Sequence, residues 1–212
     1  MATKSLVLGT ELMRGLYVIS DGSTGDTLLS KIEQALRGGA AMVQYRDKTA
    51  DTSRRLQEAR ALHDLCRQFH ATFIINDDVT LAKTVQADGV HVGKDDARLA
   101  AARAYLGSNS IIGVSCYNRL ELAQAAALQG ADYVAFGSFF PSPTKPHAPR
   151  ATLALLATAR AQLTLPICAI GGITLATAPK LVANGADMLA VITDVLAAPS
   201  ITTQTRHYAA LF

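Results

Sequence analysis

Tryptophan is absent from this chain, and phenylalanine and tyrosine together make only 6% of it, too few large rings for aromatic-rich sandwich or propeller strands. Charge is scarce as well. Charged residues make 17%, and 20 Lys and Arg against 17 Asp and Glu leave a net charge of +3, too small and scattered for a nucleic-acid or acidic-lipid surface. Half of the residues are hydrophobic, which excludes a disordered chain. Cysteine is limited to Cys66, Cys116 and Cys168, an odd count with no C-x-x-C pair. They read as reduced thiols of a cytoplasmic protein. Long apolar runs are missing too. Glu11 and Arg14 interrupt the N-terminal stretch before it could serve as a secretory signal, and Met188 to Ala198 is short and carries Asp194, so no membrane span is expected.

What the chain has is alternation. Eight short apolar runs, many of them β-branched, read as buried strands: 16–20, 41–45, 72–75, 89–92, 111–115, 133–136, 166–169 and 188–192. Segments of helical period separate them at 27–37, 52–69, 79–85, 96–105, 119–129, 151–162 and 175–183, with a last one after Pro199. An internal near-repeat marks the even strands. Gly39-Ala40, Gln86-Ala87-Asp88, Gly130-Ala131-Asp132 and Gly185-Ala186-Asp187 each precede one, and glycine there fits the left-handed turn that ends a helix. The spacing amounts to two units of about 26 residues each. Repeated two-unit modules around a closed sheet predict an α/β fold, a single (β/α)8 TIM barrel over 1–212, with 1–15 as an N-terminal extension leading into it. The competing open doubly wound sheet lacks its G-x-G-x-x-G, since Gly22 and Gly25 have the wrong spacing.

In such a barrel, chemistry sits on the loops after the strands. After strand two, Gln44, Arg46 and Lys48 of Gln44-Tyr45-Arg46-Asp47-Lys48 point to one side of an extended backbone and make an anion clamp. Asn76-Asp77-Asp78 ends strand three and Lys94-Asp95-Asp96 follows strand four. Asp78 or Asp96 alone reads as a helix cap. Carboxylates at two adjacent strand ends beside a basic clamp point instead to Mg²⁺ shared with substrate phosphates. Zinc is disfavoured because His91 has no partner at ligand spacing, and His91 reads as structural or as a support behind the site. Ser115 stands at the mouth with no His-Asp arrangement to make it a nucleophile, so it reads as a hydrogen-bonding group. The loop from Gly137 to Arg150 carries four prolines together with Ser142, Thr144 and Lys145, a restricted binding loop with one more cation. Gly171-Gly172 after strand seven and Ile192-Thr193 after strand eight occupy the usual phosphate site of a barrel. Two anion sites therefore share one mouth.

Together Gln44 to Lys48, Asn76-Asp77, Gly89 to Gly93, Gly113-Val114-Ser115, Pro141 to Lys145 and Ile170 to Ile173 resemble the motifs of the thiamine phosphate synthase family, over nearly the whole chain. The resemblance implies a transferase of alkyl or aryl groups. It would condense 4-amino-2-methyl-5-hydroxymethylpyrimidine diphosphate with 4-methyl-5-(2-phosphoethyl)thiazole, giving thiamine phosphate and diphosphate with Mg²⁺ as cofactor. By motif position, Gln44, Tyr45, Arg46, Asp47, Lys48, Asn76, Ser115 and Lys145 would hold the pyrimidine diphosphate, with Arg46, Lys48, Lys145 and Ser115 as the catalytic set. Ser142, Pro143, Thr144, Gly172, Ile192 and Thr193 would hold the thiazole phosphate. Asp77 and Asp96 would hold the metal, with Asp95 as the alternative to Asp96. Ser142 stands where the family commonly has Thr, Thr193 where it has Ser, and Lys94 where it often has Gln; the first two keep a hydroxyl, while Lys94 adds a cation beside the metal position. A related thiazole tautomerase, which binds only the thiazole phosphate, and a non-catalytic binder of thiamine precursors are the competing readings. Partners are expected to be small molecules, without nucleic acid or membrane, and barrel edges admit a homo-oligomer.

Overall fold

A computed structural model describes residues 13–93, 96–141 and 149–212, the side chains of Asp96 and Ala97 excepted. Eight strands close into a parallel ring: β1 (Gly15–Ile19), β2 (Met42–Tyr45), β3 (Thr72–Asn76), β4 (Gly89–Val92), β5 (Ile111–Tyr117), β6 (Tyr133–Phe136), β7 (Ile167–Ile170) and β8 (Met188–Val191). Sequential strands pair, and β1 closes on β8 through the register Gly15 to Met188 and Tyr17 to Ala190. The described helices are α1 (Gly25–Arg37), α2 (Thr52–Gln68), α3 (Val79–Thr84), α4 (Asp96–Leu106), α5 (Leu120–Leu128), α6 (Leu153–Gln162), α7 (Ala178–Ala183), α8 (Thr193–Leu196) and α9 (Ile201–Ala209). This is the expected (β/α)8 barrel, with every strand within two residues of its predicted position. The short helix α8 is an addition. Four residues are too few for a periodic signal, and the sequence reads there as the loop after strand eight.

Two apolar layers follow from the period of two along each strand. Outward residues such as Val18, Val43, Phe73, Val90 and Val134 pack under the helices. Helix α1 meets them with Leu28, Ile32, Ala35 and Leu36, one stripe of a 3.6-residue period. Inward residues, including Tyr17, Met42, Ile74, Tyr133, Cys168 and Met188, fill the barrel itself.

The near-repeat has a physical basis in two parts. Residues 39, 86, 130 and 185 all adopt a left-handed backbone. The next residue's N–H in each case reaches back five positions, Ala40 to Ala35, Ala87 to Ala82, Ala131 to Ala126 and Ala186 to Leu181, at 2.9–3.1 Å. That bond satisfies a carbonyl the helix end would otherwise leave open. The aspartates then clamp the preceding odd strand. Asp88 accepts from the Phe73 N–H at 2.7 Å, Asp132 from Ile112 and Asp187 from Ile167, both at 2.8 Å. Arg103 and Arg160 brace the last two, at 2.5 and 2.9 Å. The first module has Ala41 in this position, where Gly15 allows close packing instead: a Cβ on Gly15 would sit 3.0 Å from that of Ala41.

Replacing such a clamp leaves a strand N–H without its acceptor. Asp132→Ala is expected to lower unfolding free energy by about 1–3 kcal/mol in urea titration. Asp64→Ala, an exposed position on α2, should change it by less than about 0.5 kcal/mol.

Candidate active site

All eight strands deliver their carboxyl ends to one side, and there a cavity of about 590 Å³ opens, within the range that encloses small molecules. Gln44 and Arg46 reach it from the end of β2, Asn76 from β3, His91 from β4, and Ser115 from β5. Opposite them lie Gly171 and Gly172 after β7, with Ile192, Thr193 and Asp194 after β8. Described residues from both predicted anion sites therefore open into one space.

The clamp after β2 is narrower than expected. Gln44 and Arg46 face the cavity, but the outward-facing Tyr45 hydroxyl donates to Glu58 at 2.7 Å. Asp47 pairs with Arg54 at 2.7 Å and accepts from the Thr49 N–H at 2.7 Å. Burial raises the Asp47 pKa, but the Thr49 bonds and Arg54 outweigh it and hold the carboxyl below its usual range. Lys48 is exposed and outside the cavity wall. Strand β2 ends at Tyr45, so strict alternation does not carry on to Lys48, and the side chains of Tyr45 and Asp47 brace the loop. Glu58, itself buried, also accepts the Gly25 N–H at 2.7 Å, tying α1 and α2 to this strand end. Arg54, Arg55 and Arg98 are each paired with an aspartate, whereas no described carboxylate pairs with Arg46, the cation of the described cavity wall.

At the end of β3 the backbone turns left-handed at Asp77, φ 61°, a conformation Asp tolerates better than most residues. Its carboxylate, half exposed, accepts from Asn76 Nδ2 at 2.8 Å and lies 3.8 Å from Arg98. Asp78 is a helix cap, accepting the Leu81 N–H at 2.8 Å, and pairs with Arg55 at 2.7 Å. Strands β3 and β4 are neighbours, so Asp77 and the backbone of Asp96 at the start of α4 flank adjacent strand ends. Among the described residues no three His, Cys, Asp or Glu side chains gather around a point. The described donor, the half-exposed Asp77 carboxylate, suits a hard cation that takes one or two carboxylates and completes its shell with substrate oxygens. Lys94, Asp95, Ser142, Pro143, Thr144 and Lys145 lie outside the described residues, as does the side chain of Asp96.

Backbone bonds steer the loop after β6 along β7. Phe139 N–H donates to Ile170 at 3.1 Å and Phe140 N–H to Gly171 at 3.0 Å. A Cβ on Gly172 would lie 2.2 Å from the Pro141 carbonyl, so the second glycine is what lets the two loops touch. Across from them Asp194, also on the cavity wall, accepts from the Leu175 N–H at 3.1 Å, Gln204 Nε2 at 2.8 Å and the Tyr208 hydroxyl at 2.6 Å. Three donors hold the loop after β7 against α8 and α9. No motif or period in the sequence singles out Asp194, Tyr17 or Tyr133 as part of the site. The two tyrosines sit inside apolar runs that do not reveal which face turns inward. Gly113 was the available signal for Tyr133, whose ring lies 2.0 Å from where a Cβ on that glycine would be.

The sequence profile of the family described as thiamine monophosphate synthase matches residues 16–195. The chain belongs to that family. It is 54% identical over 203 residues to the thiamine-phosphate synthase of Azoarcus sp., covering 95% of this chain and 98% of the relative. It is 52% identical over 204 residues to that of Thioalkalivibrio sulfidiphilus, covering 95% and 97%. The solved thiamine phosphate pyrophosphorylase of Pyrococcus furiosus superposes with a TM-score of 0.84 at 34% identity, over 96% of both chains. The family is one of enzymes, transferases of thiamine biosynthesis. No described helix is long and apolar enough to cross a membrane.

The cysteines take no part in this arrangement as nucleophiles. All three are buried and free. Burial pushes the Cys66 and Cys116 thiols up to about 12, with Asp88 adding to the rise at Cys66 and an Ala135 backbone bond opposing it at Cys116. Burial also raises Cys168. A disulfide reagent at pH 8 is expected to titrate none of the three in the folded protein and all three in guanidinium, because the thiolate is the reactive form.

Proposed function

We propose that this chain condenses 4-amino-2-methyl-5-hydroxymethylpyrimidine diphosphate with 4-methyl-5-(2-phosphoethyl)thiazole to thiamine phosphate and diphosphate. The observation that carries the reading is the meeting, on one cavity wall, of Gln44, Arg46, Asn76 and Ser115 with Gly172, Ile192 and Thr193. The first group suits the pyrimidine diphosphate and the second the thiazole phosphate.

Little covalent work falls to the protein. The aminopyrimidine pushes electrons toward its exocyclic carbon, so the carbon–oxygen bond to diphosphate can break first. The thiazole nitrogen then donates its lone pair to that carbon and the new carbon–nitrogen bond forms. Arg46 opposes the charge that grows on the departing oxygens, a donor placed where charge develops. Lys48 and Lys145 are assigned to the same task by their motif positions. Asn76 and Gln44 orient the pyrimidine side, and the turn at Gly172 with Thr193 anchors the thiazole phosphate. Holding both partners across one mouth converts an encounter into an oriented step. Asp77 and Asp96 are the residues that would hold Mg²⁺, which when bound neutralises diphosphate charge. The working compartment on this reading is the cytoplasm, in keeping with three reduced thiols.

Diphosphate release measured with each substrate alone and with both tests the reading. Release only with both supports it. Release or isomerisation with the thiazole phosphate alone favours the tautomerase reading, and binding without release favours a carrier. Arg46→Ala and Lys145→Ala should each lower kcat by on the order of a hundredfold, and Asp77→Asn should raise the Mg²⁺ concentration needed for half-maximal rate. Full turnover in excess chelator contradicts the metal assignment.

A further inference from the structure

Five side chains from five strands join across the barrel interior. Gln44 Nε2 donates to the Tyr17 hydroxyl at 2.6 Å, and the Tyr17 and Tyr133 hydroxyls are 3.0 Å apart. The Tyr133 hydroxyl lies 2.9 Å from His91 Nδ1, and His91 Nε2 lies 2.8 Å from Ser115 Oγ. The two ends, Gln44 and Ser115, are among the residues assigned above to the pyrimidine, and all but Tyr133 lie on the cavity wall.

Proton counting gives this chain a direction. A phenol has one hydrogen to donate, and a neutral imidazole carries a hydrogen on one nitrogen and a lone pair on the other. Burial pushes both tyrosine pKa values up, only partly offset at Tyr17 by its Tyr133 and Gln44 bonds, so each keeps its hydrogen. An amide nitrogen only donates, so Tyr17 accepts from Gln44. The hydrogen of Tyr17, fully buried, then has the Tyr133 oxygen as its acceptor, and pointing elsewhere would leave it unpaired. Tyr133 in turn donates to His91 Nδ1. The imidazole hydrogen therefore sits on Nε2 and is donated to Ser115 Oγ. Ser115, having accepted, has its own hydrogen to give to the cavity, while the carbonyl oxygen of Gln44 is unused within the chain.

We propose that Tyr17, Tyr133 and His91 are positioning residues that fix the polarity of this chain, so that a ligand meets the hydroxyl hydrogen of Ser115 and the carbonyl oxygen of Gln44. The inference rests on the pyrimidine reading given above and states how that ring is chosen. The ring that fits accepts at one edge and donates from an exocyclic amine at another, as a 4-aminopyrimidine does. Its 4-oxo counterpart offers an acceptor where the amine donated. To welcome it, Gln44 must turn its amide over, and every bond down to the histidine tautomer must reverse with it. Selection against the oxo ring is thus built into the barrel interior and does not depend on the metal or the cations at the rim.

The first test needs no ligand. In the full-length protein labelled with ¹⁵N-histidine, the His91 signals are assigned by their loss in His91→Gln, and two-bond ¹H–¹⁵N couplings show which nitrogen carries the hydrogen. Hydrogen on Nε2 is expected; hydrogen on Nδ1, or an imidazolium, overturns the proposal. The second test is calorimetric binding of the 4-amino and 4-oxo pyrimidine diphosphates without the thiazole. The wild type should prefer the amino compound by about a hundredfold or more, and Tyr133→Phe should shrink that preference by at least about tenfold. A preference unchanged in Tyr133→Phe overturns the proposal, because loss of packing alone would weaken both ligands together. If Tyr133→Phe does not fold, Tyr17→Phe breaks the same chain and is read the same way. Should the amino compound fail to bind the wild type, the substrate reading falls, and the histidine tautomer still decides the polarity.

Discussion

Closure of the ring is the constraint on which the rest depends. Pairing of β1 with β8 leaves no free edge, and it forces all eight strand ends to converge on one opening. Gln44, Asn76, Ser115 and Thr193 lie far apart along the chain, yet they border the same cavity because each follows its strand by the same rule. Closure also rations interior space. Gly113 cedes its place to the Tyr133 ring, and Gly89 leaves room for the Ile111 backbone, whose carbonyl would stand 1.9 Å from a Cβ. Polar groups admitted to so confined an interior have to satisfy one another, and the chain from Gln44 to Ser115 does so.

The lower rim and the upper rim are built for different ends. Below, aspartates at 88, 132 and 187 bind strand N–H groups and two of them carry an arginine partner, so charge is spent on cohesion. Above, Arg46 on the cavity wall has no described carboxylate partner, and the half-exposed Asp77 beside the cavity accepts from Asn76 at 2.8 Å and lies 3.8 Å from Arg98. A cation without a carboxylate partner and a partly exposed carboxylate suit an anionic ligand and a metal. Asp194 is the exception, a carboxylate on the cavity wall saturated by three donors and so given to architecture.

Much of this was legible in the sequence because parallel strands buried on both faces read as continuous apolar runs. The left-handed turns at 39, 130 and 185 show through their glycines, whereas Gln86 takes the same turn at the same place in the repeat without a glycine to mark it. What escaped has physical causes. A buried strand does not announce which of its residues point inward, so Tyr17 and Tyr133 passed as core. Alternation predicts Lys48 beside Gln44 and Arg46, but β2 ends at Tyr45 and Lys48 is exposed outside the cavity wall, so only its motif position assigns it to the diphosphate; the bracing of Tyr45 and Asp47 by Glu58 and Arg54 has no periodic signal. Thr193 was placed at the phosphate site by its motif, while the helical turn that begins there was too short to see. Family membership lends weight to the motif positions, and the cavity shows which of their described side chains share a space.

In the proposed reaction one mouth holds both halves. A crystal structure of the protein with thiamine phosphate, diphosphate and Mg²⁺ is the deciding measurement. Diphosphate is expected within hydrogen-bonding distance of Arg46 and Asn76, the pyrimidine between Gln44 and Ser115, and the terminal phosphate at the Gly172 turn and Thr193. Product seated elsewhere, or diphosphate out of reach of Arg46, would contradict it.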